Sequence, residues 1–418
     1  MSRTSARDVA IVTPWYPTRE LPFRGAFVRA MTEATAPGCD QATVYHCDGW
    51  WSRLTSEQDA EIGEAQRLLL PQAQAVGQTV GGAGLRYVPV PMPGGLSFAD
   101  IARRHEATLA LALGGRPIDA PVVHAHVGLP SGWAALHHLR PDARFFVTEH
   151  ATFLDRILAE PDGHAMYDQV LHRCDAFFAV GDGMRDLLVE TFPHHADRIS
   201  IVPNPISFEH PRPVPVTELR RWLFLGGLIP RKGVTWLLEA FAVCHADDPR
   251  LTLSLVGDGE LSATLQARAA ELGIADAVTF AGAVSPDEAL RLMREHDLLV
   301  HPSRMETFGM TVVEALAAGM PVLVTRCGGP EETLAGIEDA AGELVAVEES
   351  PDSIVAGYRR LRSRFPDGLD LELAQRTLDD RYGYPAVARA HHRVWFPEEN
   401  SAADAEGGLA PATPEGAR

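Results

Sequence analysis

Short apolar runs alternate along the chain with stretches in which apolar residues recur every three or four positions. In the first half, the runs DVAIVTP, ATVYHC, LRYVPVPM, PVVHAHV, RFFVTEH, AFFAVG and ISIVPN are each predicted to form a buried strand. Helices are predicted at residues 25–36 and in HEATLALAL, SGWAALHHL and DGMRDLLVETF. This alternation is typical of a parallel, doubly wound α/β sheet.

A Pro-rich segment, EHPRPVPVTEL, interrupts the alternation from Glu209 onward and is predicted to be a linker. The pattern then restarts with the predicted strands RWLFLGG, LTLSLVG, AVTFAGA, DLLVHPS and PVLVTRC. The predicted helices between them are VTWLLEAFAVC, LSATLQARAAELG, SPDEALRLMREH and MTVVEALAAG. We therefore predict two Rossmann-like α/β domains, residues 1–209 and 217–380, which face a central cleft. A helix is predicted at 381–396 and a disordered tail at 397–418.

The composition and charge of the chain argue against several classes of binding partner. The chain has 418 residues and a formal net charge of −19, with no basic stripe, so a nucleic acid is not expected as a partner. No apolar run is long enough to cross a bilayer, and the N-terminus lacks a secretory signal, so we expect no stable membrane insertion. The five cysteines are scattered, which favours reduced thiols and a cytoplasmic location. An acidic surface could attract a cationic small molecule.

Lys232, in the segment LGGLIPRKGV, is the only lysine among 37 basic residues. All the others are arginines, an imbalance that a GC-rich genome would produce. A lysine retained against that bias indicates a position where a compact ammonium group must reach a phosphate. The alternative is chance survival at an indifferent site.

The segment HPSRMETFGMTVVEALAAGMPVLVTRCGGPEE, which begins at His301, carries the strongest local pattern. Glu306 is predicted to lie in the loop before a helix, and Glu314 about two turns along that helix. The helix N-terminus offers unpaired N–H groups suited to a phosphate. A carboxylate beside such a site can bind sugar hydroxyls, and a second one further along can bind a ribose. The alternative is a surface helix with two incidental glutamates.

Other motifs point to no metal or cofactor. The stretch 226–232 resembles a phosphate-binding loop, but Arg231 stands in place of the second glycine and Gly233 in place of the Ser/Thr that would bind magnesium. His124 and His126 alternate along a predicted strand with no carboxylate or cysteine nearby. We therefore expect no bound metal and no cofactor at the site.

The order of these motifs resembles the large GT4-like group of retaining glycosyltransferases, which use nucleotide sugars and have the GT-B fold of two Rossmann domains. The resemblance runs from about Ile11 to Phe396. Its most specific part is the E-x7-E element Glu306–Glu314, followed by GGPEE. LGGLIPRKG is similar to the family's diphosphate-binding segment, and VTEHATF is similar to its N-domain histidine loop.

The resemblance implies roles for matching residues in donor binding and catalysis. Lys232 with Arg231 would neutralise the β-phosphate, Glu306 would bind the donor sugar, and His150 would reach the sugar or the acceptor. The donor-binding set would be Gly25, Gly227, Gly282, Ala283, Val284, Phe308, Gly309, Met310 and Glu314. The family often carries an arginine where this chain has Gly227, and Arg231 is expected to supply that charge from a shifted position. A UDP-sugar is favoured over a GDP-sugar as the donor.

The N-terminal half resembles a narrower group of enzymes. The segment TPWYPTRELPFRGAFVRAMTEATAPGCDQATVYHCDGW, from Thr13, is similar to enzymes that glycosylate 2-deoxystreptamine-containing aminoglycosides, such as kanosaminyltransferases. That resemblance implies a cationic small-molecule acceptor bound by residues 1–209. Candidate carboxylates are Asp48, Glu149 and Asp155, and candidate stacking faces are Trp15, Tyr16, Trp50 and Trp51.

Three alternatives remain open at this point. The chain could build a cell-envelope or exopolysaccharide glycan, or it could be a catalytically silent sugar-binding regulator on the same fold. A dinucleotide oxidoreductase is disfavoured because no G-x-G-x-x-G motif followed by an acidic ribose ligand is present.

Overall fold

The computed structural model describes residues 7–52, 55–72 and 77–397. The predicted disordered tail lies, apart from its first residue, outside the described residues. The strands of the first half are β1 Asp8–Thr13, β2 Gln41–Ser52, β3 Gly77–Gln78, β4 Gly84–Pro93, β5 Val122–His126, β6 Arg144–Glu149, β7 Ala176–Ala179 and β8 Ile199–Ile201. Those of the second half are β9 Arg221–Leu225, β10 Thr252–Val256, β11 Val278–Gly282, β12 Leu298–His301, β13 Val322–Thr325 and β14 Gly342–Val345.

Helices fill the connections between these strands. In the first half they are α1 Ala26–Thr35, α2 Ser56–Leu69, α3 Phe98–Ala112, α4 Trp133–Leu136, α5 Leu154–Ala159, α6 Pro161–Arg173 and α7 Asp182–Thr191. In the second half they are α8 Val234–Asp247, α9 Ser262–Glu271, α10 Pro286–Glu295, α11 Met310–Ala317, α12 Gly329–Thr333, α13 Glu338–Ala341, α14 Asp352–Arg364, α15 Leu371–Tyr382 and α16 Tyr384–Trp395.

The strands form two sheets. The first has the order β3-β4-β2-β1-β5-β6-β7-β8, and the second has the order β11-β10-β9-β12-β13-β14. Pairing is parallel throughout, except between β3 and β4. Strand order reverses beside β1 in the first sheet and beside β9 in the second, which is the Rossmann-type arrangement. The predicted fold class is confirmed: two doubly wound α/β sheets of the GT-B kind.

Burial explains why these strands could be predicted from apolar runs in the sequence. Every residue of β5, β12 and β13 is buried, because helices cover both faces of each sheet.

The Pro-rich stretch before β9 forms neither helix nor strand, as predicted. The prediction for SGWAALHHL was largely wrong, since only Trp133–Leu136 is α-helical. Residues 128–132 form a wide turn instead, in which Gly128 packs so closely on Tyr167 that a Cβ would lie 2.5 Å from its ring.

The chain crosses from one sheet to the other twice, and the two crossings are adjacent. After the linker has led into the second sheet, α15 packs beneath that sheet, with Ala374 and Leu378 in its core. The chain then turns at Gly383, and α16 returns to pack Val387 and Trp395 against the first sheet. The two crossings are joined by a hydrogen bond from Ile206 N–H to the Tyr382 carbonyl, at 2.8 Å.

Candidate active site

A cavity of about 230 Å³ lies between the two sheets, where the carboxyl ends of β9, β10 and β11 face the N-terminus of α1. This is the end of a parallel sheet at which ligands bind. Residues of the predicted donor set that line the cavity are Gly227, Ala283, Val284, Met310 and Glu314. The opposite wall comes from the first half of the chain and includes Phe23, Ala26 and Phe27.

A second cavity, of about 270 Å³, lies at the other end of the same cleft. Glu306 and Thr307 line it from the second half of the chain, and Thr152 and Asp155 line it from the first half. Glu306 and Glu314 therefore face different cavities, on either side of the first turn of α11.

Lys232 and Glu306 form the central charged pair of this cleft. The Lys232 Nζ lies 2.5 Å from Glu306 Oε1, and both side chains are largely buried. The same carboxylate oxygen accepts hydrogen bonds from His301 Nε2 at 2.9 Å and from Ser303 Oγ at 2.5 Å. Three groups thus hold Glu306 in one orientation, while its other oxygen, Oε2, lies 3.8 Å from Arg231 Nη1.

Backbone constraints place the two partners of this pair. Gly233 follows Lys232 with φ +67° and directly precedes α8, and a Cβ there would lie 2.1 Å from the Pro302 carbonyl oxygen. Only glycine combines that conformation with so close an approach. On the other side, Glu306 N–H donates to the Cys327 carbonyl and Gly329 N–H donates to the Glu306 carbonyl, both at 2.9 Å. The loop before α11 is thereby tied to the loop after β13.

The electrostatic surroundings keep Glu306 ionised. Burial alone would raise the pKa of this carboxyl, but hydrogen bonding to His301 and the charge of Lys232 outweigh burial and hold the pKa well below its usual range. His301 is itself fully buried, which lowers its pKa and favours the neutral imidazole. The charge opposite Glu306 is therefore mainly the Lys232 ammonium.

Glu314 has a different environment. It lies on α11 with no hydrogen bond or ion pair to its carboxylate within the described parts of the chain, and it faces the first cavity. Burial raises the pKa of Glu314 to about 7. An unpartnered carboxyl of this kind can accept hydrogen bonds from a ligand that enters the cavity.

The N-terminus of α11 lies between the two glutamates. Gly309 precedes the helix with φ +83°, and its carbonyl accepts from the N–H groups of Val312 and Val313 at 2.9 and 3.4 Å. The first-turn amides with no acceptor within the helix are those of Met310 and Thr311. The Phe308 side chain is buried with its ring centroid 5.1 Å from that of Tyr382, so only its backbone can contact a ligand. This geometry suits an anion.

The remaining candidates of the donor site differ in the contacts that their side chains or backbone make. Arg231 donates to the Met305 carbonyl at 2.5 Å, which holds its guanidinium beside the Glu306 loop. Gly25 has φ +72°, and a Cβ there would lie 2.4 Å from the Trp15 backbone, so this glycine is required for the turn into α1. The Gly282 carbonyl accepts from Gly257 N–H at 2.8 Å, and since a carbonyl oxygen has a second lone pair, its contact with a nucleotide base stays a prediction.

His150 is buried beneath the cleft. Its Nε2 lies 2.8 Å from His126 Nδ1, and its ring centroid lies 4.3 Å from that of Phe27, which lines the first cavity. Burial, with a smaller contribution from the charge of His391, lowers the pKa of His150 to about 3. The imidazole is therefore neutral and can donate or accept a hydrogen bond, but it does not carry a charge to the site.

Glu149 does not belong to the acceptor site, and that prediction was wrong. The side chain is completely buried, and its carboxylate accepts hydrogen bonds from the backbone N–H groups of Gly128, His150 and Ala151 at 2.7–2.9 Å and from the Tyr167 hydroxyl. With both oxygens occupied in the core, Glu149 positions the loop after β6.

Of two further acceptor candidates, Tyr16 is corrected and Asp48 is not. Tyr16 is 5% exposed and packs in the core beneath the first sheet, where burial raises the pKa of its hydroxyl to about 12. It therefore offers no stacking face to a ligand. Asp48 forms an ion pair with Arg24 at 3.1 Å and accepts from the Tyr87 hydroxyl at 2.9 Å, and its contact with the acceptor stays a prediction.

Asp155 and Trp15 remain candidates by position. Asp155 is exposed, and it lines the cavity that contains Glu306. Trp15 lines a third cavity, of about 220 Å³, and makes edge contacts with Phe27 and Phe153. Trp50 is half exposed, away from these three cavities. The side chain of Trp51 lies outside the described part of the structure.

Sequence reasoning missed three residues of the site. His301 and Ser303 orient Glu306, and the signal for them was the HPS tripeptide directly after a predicted strand. Glu332, in GGPEE, accepts from the backbone N–H groups of Asp182 and Gly183 at 2.7 and 3.3 Å, and so connects the second half of the chain to the N-terminus of α7. Such a contact between distant segments has no local sequence signal.

Two family models match consecutive parts of the chain. The model described as Glycosyltransferase Family 4 matches residues 54–210, and the model described as Glycosyl transferases group 1 matches residues 207–364. Their order coincides with the two sheets. Together with the fold, they show that the chain is a GT-B glycosyltransferase of the GT4-like family.

Curated relatives agree with this class. The glycogen synthase of Mycobacterium tuberculosis is 28% identical over 301 residues, which cover 66% of this chain and 68% of that protein. The D-inositol 3-phosphate glycosyltransferase of Streptomyces scabiei is 28% identical over 324 residues, which cover 70% and 68%. The second of these relatives is named as a glycosyltransferase, and the first as a synthase of glycogen.

Solved structures with little sequence identity share the fold. Sucrose-phosphate synthase from Thermosynechococcus elongatus superimposes with a TM-score of 0.70 at 16% identity, over 94% of this chain and all of that one. Anabaena HepE in complex with UDP and glucose gives a TM-score of 0.64 at 16% identity, over 93% and 99%. Among the described residues, no helix combines the length and apolarity that crossing a bilayer requires.

Proposed function

We propose that this glycosyltransferase moves a sugar from a nucleotide diphosphate donor, a UDP-sugar, to a hydroxyl group with retention of the anomeric configuration. The observation that carries the proposal is the contact between the largely buried side chains of Lys232 and Glu306 in a cleft between two Rossmann-like sheets. In this assignment residues 217–380 bind the donor and residues 1–209 bind the acceptor.

The donor would lie along the first two turns of α11. Glu306 lies in the loop before α11, and Glu314 lies four residues beyond Met310, about 6 Å of helical rise along α11. The sugar would contact Glu306, and the ribose would contact Glu314. Between them, the diphosphate would accept hydrogen bonds from amides in the first turn of α11 and would contact the side chains of Lys232 and Arg231. The base would then enter the cavity lined by Ala283 and Val284.

Charge stabilisation is the main chemical task of this arrangement. The bond between the anomeric carbon and the β-phosphate oxygen breaks, and its electron pair leaves with the phosphate. The acceptor hydroxyl forms the new bond to that carbon, and its proton passes to the released nucleotide diphosphate. Lys232, Arg231 and the α11 amides stabilise the negative charge that develops on the phosphate.

The resting ion pair has a role in this scheme. Without a donor, Glu306 neutralises Lys232. A bound diphosphate would draw the ammonium toward itself and free a carboxylate oxygen of Glu306 for the sugar hydroxyls. One exchange of partners thus prepares both groups, and no divalent metal is required for it.

For the acceptor we propose a cationic, 2-deoxystreptamine-containing pseudodisaccharide of the kind used in aminoglycoside biosynthesis. Two observations support this choice: the net charge of −19, and the exposed Asp155 carboxylate beside Glu306 in the second cavity. Trp15, which lines the third cavity, would provide an aromatic face for a sugar ring. The five cysteines are all unpaired thiols, which supports a cytoplasmic location.

The proposal is tested by incubating the full chain with UDP- and GDP-sugars, with and without 2-deoxystreptamine pseudodisaccharides, in buffer that contains EDTA. Release of UDP that depends on the acceptor, with a product of retained configuration by NMR, is the expected result. Release of UDP only with neutral glycan acceptors would favour envelope or exopolysaccharide synthesis. Donor binding without turnover would indicate a silent sugar-binding regulator, and activity lost in EDTA and restored by magnesium would contradict the metal-free scheme.

A further inference from the structure

A second cluster of potential ligand atoms lies outside the cleft, at the edge of the first sheet. Asp168 Oδ1 lies 2.8 Å from His194 Nε2 and 3.1 Å from His195 Nε2. One ligand atom from each residue lies within 4.8 Å of the other two. None of the three residues lines the cavities that contain Glu306, Glu314 or Trp15.

The fold brings these residues together from two elements. Asp168 lies on α6, while the two histidines lie in the short helical turn Pro193–Arg198, which follows α7. Arg198 holds this turn against the end of α6, because it donates to the carbonyls of His172 and Cys174 at 2.6 and 2.9 Å. The arrangement is therefore fixed by contacts other than those within the cluster.

The geometry is close to that of a zinc site. Zinc bonds to histidine nitrogen and carboxylate oxygen are about 2.0–2.2 Å long, so two ligand atoms on a tetrahedral ion lie roughly 3.3 Å apart. The two contacts from Asp168 need to lengthen by only a few tenths of an ångström to reach that spacing. In the metal-free cluster each imidazole Nε2 carries a proton that faces Asp168, and a divalent ion would take the place of those two protons.

Accessibility and ligand chemistry also fit. The side chain of His194 is 60% exposed and that of Asp168 is 41% exposed, so an ion can enter from solvent, whereas His195 is 7% exposed and is held in place. Two imidazoles with one carboxylate are borderline ligands that favour zinc over magnesium or calcium.

We propose that Asp168, His194 and His195 bind one zinc-type divalent ion, with water in the fourth position, and that this ion fastens α6 to the turn after α7. The ion would link two elements that α7 separates along the chain, and its ligands line none of the three cavities described above. It is independent of the glycosyl transfer proposed above.

The test uses the full chain, freed of metal with a chelator and then dialysed against zinc sulfate. Retained zinc is counted by elemental analysis, and the dissociation constant is measured by titration calorimetry. His194→Ala is the main variant, because its exposed side chain can be removed without disturbing the core. The matched control is His137→Ala, another exposed histidine of the first half.

We expect one zinc per chain, a higher Tm with zinc, and at least a tenfold weaker dissociation constant in His194→Ala. Asp168→Asn should weaken binding similarly, and His137→Ala should not. The metal-free Tm and the turnover of His194→Ala should equal those of the parent chain. Failure to retain zinc, or equal zinc binding by His194→Ala and the parent chain, would overturn the proposal whatever the donor assays show.

Discussion

At Lys232, substitutions can distinguish most clearly between the effect of the positive charge and the effect of the shape of the side chain. Its ammonium lies 2.5 Å from Glu306 because Gly233 and Pro302 fix the backbone behind it. A planar guanidinium at the same position could not reach the same point without displacing Glu306 or Ser303. We therefore treat the single lysine of the chain as a requirement of the site.

Lys232→Ala is expected to reduce kcat by about 10²–10³, with a smaller effect on donor KM, because the phosphate gains charge in the transition state. Lys232→Arg should restore activity only in part. Steady-state kinetics with the donor as variable substrate measure both values. A Lys232→Arg enzyme of full activity would mean that the lysine survives by chance.

The two glutamates of the E-x7-E element should differ in the kinetic constant they control. Glu306→Gln is expected to abolish transfer, because the carboxylate that binds the sugar and stabilises positive charge at the anomeric carbon is lost. Glu314→Gln should chiefly raise donor KM, by roughly 10- to 150-fold, the value of a hydrogen bond to a charged group. Circular dichroism is the control for folding. Small, equal effects of both substitutions would favour two incidental glutamates.

Donor affinity should also depend on pH through Glu314. Burial raises its pKa to about 7, so the ionised fraction increases between pH 6 and 8. The carboxylate accepts hydrogen bonds from a ribose diol better than the acid does, so donor KM should fall as pH rises across this range. The diphosphate of a nucleotide sugar keeps a constant charge there. Kinetics at several pH values check this, and Glu314→Gln should flatten the profile; an unchanged slope would refute the assignment.

At the scale of elements, the turn into α8 is the most constrained segment of the site. Gly233 and Gly273 both have positive φ, +67° and +70°, but only Gly233 has a neighbour where a Cβ would lie. Gly273→Ala should cost about 1–2 kcal/mol of unfolding free energy, the price of the backbone conformation alone. Gly233→Ala should cost more and should also reduce kcat, because the clash with Pro302 moves Lys232. Urea unfolding and kinetics distinguish the two variants; equal losses of stability would contradict this account.

Elements with a strong period were predictable, and elements defined by distant contacts were not. Fully buried strands such as β5 and β12 appear as continuous apolar runs, which is why they were found. The helix α6 was missed, because the polar residues and glycine of PDGHAMYDQVLHR obscure its apolar stripe. α3 begins seven residues before the predicted start, and the unused signal was the Ser97 cap, which accepts from Asp100 N–H.

The candidate site shows the same division. Glu306, Glu314 and Lys232 could be predicted, because they belong to short motifs with a chemical reason for each residue. Glu149 and Tyr16 were misassigned, because sequence gives the type of a side chain but not whether it points to the cleft or to the core. The burial of Glu149 follows from where Gly128 and Tyr167 pack, which is a tertiary contact.

At the scale of the whole molecule, the return of α16 places the last described helix in the core of the first sheet. The ring of His391 on α16 lies 5.4 Å from that of His124 on β5, and the ring of His126 stacks on that of His124 at 5.2 Å. All three are buried, and burial lowers the pKa of each, to about 4 for His391. The folded state therefore requires neutral histidines at the place where the C-terminal helix packs.

The consequence is acid sensitivity. A histidine whose pKa is about 6.5 unfolded and about 4 folded binds more protons in the unfolded state, so stability falls as pH drops below 6.5. The loss between pH 7 and pH 5 is about 2 kcal/mol for one such residue. His391→Phe keeps a ring in the core but cannot be protonated, so its unfolding free energy should fall by about 2 kcal/mol less over this range. Urea unfolding at pH 7, 6 and 5 measures the difference, with the exposed His137→Phe as control. If His391→Phe and the parent chain lose the same stability, protonation of the packed histidines does not limit the fold in acid.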